Sequence, residues 1–144
     1  MTTRNLLLIS AALFVAAGCA PAGEATGTSP ALVPTTVNCA DASTLKAHAA
    51  DARRHIAEQT GDRAKIIRGN RAKFLASLAV VAELRCKASA GEVEALLEKA
   101  LEVGRVAETT RSEYEAAREW TEADLVAAEA IALLVSQLPA LPSR

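Results

Sequence analysis

The sequence predicts an all-α protein whose folded part is a small antiparallel four-helix bundle. Three observations predict it. The chain is 51% hydrophobic but only 3% aromatic, and much of the apolar content is alanine, a composition that favours helix over strand. Apolar residues recur at spacings of three and four over long stretches, the signature of helices with one buried face. Capping and turn signals at Gly61-Asp62, Ser89–Glu92 and Thr121–Asp124 then cut those stretches into pieces of ordinary helix length.

The chain opens on a different kind of segment. Met1–Asn5 holds one Arg and no acid, Leu6–Ala17 is an apolar run broken only by Ser10, and Ala16-Ala17-Gly18 precede Cys19. A positive start, a short apolar run and small residues before a cut define a secretory signal peptide, residues 1–18. The run is shorter than the ~20 residues that span hydrocarbon. Val15-Ala16-Ala17-Gly18-Cys19 resembles the lipobox of bacterial lipoproteins, with Ala16 where leucine is commoner. The resemblance ends at Ala20. It implies that Cys19 receives a diacylglycerol, that the peptide is cut before it, and that the new amino terminus is acylated. Several acyl chains, each methylene contributing about 0.8 kcal/mol, make a stable membrane anchor. Ala20 stands where an Asp would favour inner-membrane retention, so the resemblance implies the outer membrane, facing the periplasm.

Residues 19–38 are rich in Pro, Gly, Ser and Thr and lack a period. They read as a flexible linker holding the domain roughly 25 Å from the membrane. The bundle domain is expected over residues 39–138, with a tail at 139–144.

Helix one starts near Asp41, which with Ser43 is a capping candidate, and carries Leu45, Ala49, Ala52 and Ile56 as a narrow stripe. Gly61 ends it and Asp62 caps the next. Helix two, about Arg63–Lys87, shows Ile67, Phe74, Leu78, Val81 and Leu84 on one stripe, widened by Leu75 and Val80, with Asn70 as a polar residue able to fix register. Ser89-x-x-Glu92 has capping-box spacing. Helix three then runs in a/d fashion through Val93, Leu96, Ala100, Val103, Ala107, Thr110, Tyr114 and Ala117. The pattern fails at Trp120, and Thr121-x-x-Asp124 reads as the start of helix four, about Glu122–Gln137. Its Ala130–Val135 stretch is apolar all round and is expected to be buried on most sides. Pro139 and Pro142 stop it.

With Cys19 lipidated, Cys39 and Cys86 remain. An exported chain with an even pair of thiols usually bridges them. One straight helix would hold them nearly 70 Å apart at ~1.5 Å per residue, and a disulfide requires Cα atoms within about 7 Å. The chain therefore doubles back, and the midpoint of the pair falls beside Gly61-Asp62. The competing architecture, a long two-helix hairpin turning only at Ser89–Gly91, leaves the cysteines apart and requires a homodimer to cover Val126, Leu133 and Leu134.

Charge and motifs narrow the function. The net charge of −1 invites no nucleic acid. Asp41–Lys87 carries 10 Lys/Arg against 5 Asp/Glu, and Ala88–Arg144 carries 5 against 11, so two oppositely charged halves are expected to face each other. There is no Cys-x-x-Cys, no haem-attachment motif, no Gly-rich phosphate loop and no Gly-x-Ser-x-Gly elbow, so neither an enzyme nor a resident cofactor is expected. His48, Asp51, His55 and Glu58 share a face of helix one. Asp51 and His55 are adjacent enough to hold a metal, but His48 and His55 lie two turns, ~10 Å, apart. If exposed, Trp120 is the first candidate for a partner-contact anchor. The expected function is a membrane-anchored envelope lipoprotein that binds another envelope protein without catalysis. The alternative is a periplasmic bundle binding a metal or small ligand through His48, Asp51 and His55.

Overall fold

Asn38 to Asp41 is where the helical part of the chain begins. Asp41 Oδ2 accepts the Asn38 N–H at 2.6 Å, and the Asp41 N–H donates to the Asn38 carbonyl at 3.0 Å, closing a single 3₁₀ turn over Cys39–Asp41. The computed structural model, which describes residues 32–89 and 91–139, continues from there into four α-helices: α1 (Ala42–Arg54), α2 (Asp62–Arg85), α3 (Glu92–Thr109) and α4 (Glu113–Ser136). No strand occurs among the described residues. The signal peptide at 1–18, Cys19, most of the linker and residues 140–144 of the tail lie outside them.

The turn between α1 and α2 falls where the cysteine argument requires it. Helix α1 ends at Arg54, one turn earlier than its stripe suggests, and turns carry the chain to Gly61. Gly61 sits at φ 103°, in the left-handed region that glycine enters without a Cβ clash. Asp62, expected as the cap, is instead the first residue of α2. Gly61 is the N-cap and no side-chain cap hydrogen bond forms, so Asp62 contributes only as an acid in the first turn, at the positive end of the helix dipole. Cys39 and Cys86 are joined, with Cα atoms 5.0 Å apart, so α1 and α2 are antiparallel. This excludes the two-helix hairpin.

Helix α2 is the centre of the domain, packing on α1 on one side and α4 on the other. Phe74, Leu75, Leu78 and Val81 are fully buried, joined by Ala72, Ala79 and Ala82. Contact on two flanks is why its buried arc is wide. Val80, expected to widen the stripe, is instead exposed. Asn70 does fix register. Its Nδ2 donates to the Ala117 carbonyl at 3.1 Å and the Thr121 hydroxyl at 3.0 Å on α4. One heptad on, Ser77 Oγ donates to Asp124 Oδ1 at 2.6 Å. Both pairs advance in the same direction, so α2 and α4 run parallel, and α3 returns antiparallel between them in sequence.

The break between α3 and α4 differs from the expected one. It lies at Thr110–Ser112 and not at Trp120-Thr121. Ser112 is the N-cap of α4, and its hydroxyl accepts the Glu115 N–H at 3.3 Å. Tyr114 and Ala117 therefore belong to α4, and Trp120 lies inside that helix, 2% exposed. Its ring meets Phe74 with centroids 5.7 Å apart at 44°, a tilted pairing that suits the two quadrupoles. The seam of α3 is also rotated. Val93, Leu97, Ala100, Leu101, Gly104 and Ala107 are buried, whereas Leu96 and Val103 are only half-buried. In α4, Val135 and Leu125 are exposed, so its carboxy-terminal stretch is covered on one side only.

The largest difference lies before the helices. Residues 32–38, expected as the end of a free linker, form a strap packed on the bundle, so the folded part begins before Cys39. Val33 and Val37 are 3% and 1% exposed. Leu32 N–H donates to Glu108 Oε1 at 2.7 Å, Val33 lies against Gly104, and Thr35–Asn38 run beside Leu101, Leu97 and Arg85. The strap thus runs antiparallel to α3. It fills the groove left because α2 and α3 do not pack closely along their lengths. The expected charge pairing is present at two points: Arg63 of α2 lies 3.9 Å from Glu113 of α4, and Arg85 of α2 pairs with Glu94 of α3.

Candidate interaction face

The residues singled out on the first helix neither share one helix nor converge. Helix α1 ends at Arg54, so His48 and Asp51 are on it, while His55 is its C-cap and Glu58 lies in the turn beyond. His55 Nδ1 donates to Glu58 Oε2 at 2.5 Å, while Nε2 lies 3.4 Å from Asp51 Oδ1. The two nitrogens of one imidazole point in opposite directions, so the flanking carboxylates sit on opposite sides of the ring and share no point where an ion could be held. Asp51 is further engaged by Arg54 Nη2 at 2.9 Å. His48 is half-buried, and its Nδ1 makes no hydrogen bond within the protein. Among the described residues no three His, Cys, Asp or Glu side chains form a metal-holding cluster. The geometry therefore does not support the metal reading of His48, Asp51 and His55. Cys39 and Cys86 are a structural bridge between the α1 entry and the α2 exit.

Trp120 is not a surface anchor. It is held beneath Arg71, whose Cζ lies 5.9 Å from the ring centroid. Among the described residues, the exposed aromatic is Tyr114. Tyr114, Arg118, Thr121 and Leu125 follow at four, three and four residues along α4, on the side opposite buried Ala116, Trp120 and Ala123. Across the α2–α4 seam they meet Ile66 and Asn70, and together these residues line a shallow groove. Ile66, Tyr114 and Leu125 are 54%, 70% and 61% exposed. Isolated exposed apolar residues are ordinary, but a contiguous patch rimmed by polar groups marks an interaction surface. Here Arg118 and Glu122 supply a rim of both signs. Ile66 and Leu125 carry no mark in the sequence. Their place on one face is visible only once the Ser112 cap fixes the phase of α4.

These features define a small disulfide-closed helical bundle with an apolar seam that is uncovered among the described residues. No described helix is long and apolar enough to cross a membrane. No family model matches the chain, and no curated protein and no solved structure is significantly similar to it.

Proposed function

We propose that this protein is a lipid-anchored component of a bacterial envelope that works by binding a partner protein, without catalysis. The observation that carries the reading is the exposed Ile66–Tyr114–Leu125 seam. A groove between two parallel helices accepts the ridge of a third, so the partner presents an amphipathic helix whose apolar residues seat on Tyr114 and Leu125. The lipobox-like Val15–Cys19 supports attachment through Cys19, and Ala20 supports an outer-membrane destination facing the periplasm. The Cys39–Cys86 bridge is in keeping with an oxidising compartment. Fixing the protein to a surface raises its effective concentration at an envelope partner, so a modest seam suffices for stable engagement.

A photo-crosslinking residue at Tyr114 in the full chain, compared with one at Glu129 elsewhere on α4, tests this in native membranes. Tyr114 should capture one dominant envelope protein, and L125E should abolish capture while the bundle stays folded. Equal capture at both positions, or a second copy of this chain as the product, refutes the reading. Cys19→Ser should release the protein from the membrane fraction.

A further inference from the structure

A cleft of about 280 Å³ opens where the α1–α2 turn, the first half of α2 and the α3–α4 turn meet. It lies apart from the proposed partner seam. Its wall of α2 contributes Arg68 and Arg71, and its other wall Glu108 and Glu113, with Trp120 and Ile67 as apolar lining. The charged groups here are incompletely matched within the protein. Arg71 Nε is buried and makes no hydrogen bond. Neither Arg68 nor Arg71 takes part in an ion pair among the described residues. Burial lowers the Arg71 pKa, opposed by the charge of Glu108. Glu108 uses Oε1 for the Leu32 N–H, and Glu113 is only loosely paired, 3.9 Å from Arg63.

Arg71 is only partly buried, but its buried Nε has no hydrogen-bond acceptor. A buried N–H left unpaired costs stability, and an occupant that accepts from it removes that cost. The charges restrict what that occupant is. Two cations and two carboxylates surround one small space, so a simple anion meets Glu108 and Glu113, and a simple cation meets Arg68 and Arg71. A molecule carrying both signs satisfies both pairs. The space is at the small end for ligand sites, which run from roughly 300 to 1,000 Å³, so it suits a single small molecule. We propose that this cleft binds a free α-amino acid with an apolar side chain. The carboxylate lies on Arg71 and Arg68, the ammonium group on Glu108 and Glu113, and the side chain against Trp120 and Ile67. Arg is suited to the first role because its planar fork matches a carboxylate.

Trp120 is the only tryptophan in the chain, so its emission reports occupancy directly. Purified full-length protein in detergent is titrated with each of the common amino acids. The best of them is then compared with its amide, which lacks the carboxylate, and with its deaminated acid, which lacks the ammonium group. The expected result is a saturable emission change for at least one apolar amino acid, weakened at least tenfold by removing either charge. R71Q should weaken it by a similar factor, and K99Q, on the exposed face of α3, should leave it unchanged. Should R71Q fail to fold, the two analogues still decide the matter on the wild-type chain. No saturable change with any amino acid up to about 10 mM, a free-energy floor of roughly 3 kcal/mol, overturns the proposal. Equal binding of the deaminated acid also overturns it, since that identifies a plain anion site.

Discussion

Adding one methyl group at each of two glycines should move stability in opposite directions. Gly69 lies within α2 with nothing within 4 Å of where a Cβ would stand. Gly104 lies within α3, and a Cβ there would be 2.7 Å from Phe74 Cε1, 3.1 Å from Cζ and 3.4 Å from Val33 Cγ1. Both alanine variants gain about 0.8–1 kcal/mol of helix propensity. G69A keeps that gain. G104A must also displace a ring that is fully buried and held against Trp120, and overpacking of this kind costs about 1–3 kcal/mol. G104A is therefore expected to be destabilised by roughly 1 kcal/mol, and the two variants to differ by about 1–3 kcal/mol. Urea unfolding of the disulfide-intact protein measures this as opposite shifts of the midpoint at constant slope. Trimming the ring should relieve the clash, so F74L and G104A together should show a coupling of about 1 kcal/mol or more. If G104A is stabilised as much as G69A, the close approach of α3 to Phe74, and with it the seating of Val33, is wrong.

Reducing the Cys39–Cys86 bridge, which spans a sequence separation of 47, should cost about 4 kcal/mol through chain entropy of the unfolded state. Urea midpoints with and without reductant check this, and two alkylatable thiols in the untreated protein would refute it. Ser112→Ala should lose about 1 kcal/mol of stability and speed amide exchange at Glu115, whose N–H the hydroxyl accepts. Unchanged exchange there would remove Ser112 as the α4 cap. Asn70→Ala should cost about 1–2 kcal/mol by removing two donor contacts to α4. A double-mutant cycle with Thr121→Ala should recover part of that as coupling, and strict additivity would break the assignment.

The all-helical class, the number of helices and the fold-back at Gly61 were legible because periodicity, a glycine and a pair of cysteines all pointed to the same places. The α3–α4 junction was not. Thr110, Tyr114 and Ala117 continue the seven-residue spacing of α3 across a real break, and Ser112-x-x-Glu115 is as good a capping box as the Thr121-x-x-Asp124 pattern favoured instead. Local chemistry offered two starts, and the burial of Trp120 against Phe74 selects between them. The strap was hidden for a different reason. Val33 and Val37 stand four apart within a Pro- and Thr-rich stretch, and their burial depends on a groove between α2 and α3 that no local pattern encodes. The same holds for the candidate seam, because a surface is defined by what fails to cover it. The row His48, Asp51, His55 and Glu58 was visible, but α1 stops at Arg54 before its second half, and the two carboxylates lie on opposite sides of one ring.

The strap and the bridge together decide how the domain bears tension. A pull applied at Leu32 first strains the contact with Glu108 and then peels Val33 and Val37 out of their groove. Peeling stops at Cys39, where the load crosses a covalent bond to Cys86 at the far end of α2. The chain between those two cysteines, comprising α1 and α2, drops out of the force path. A protein tugged by its amino terminus would yield a few residues of slack and then hold, with the helices that form the α2 side of the seam still shielded.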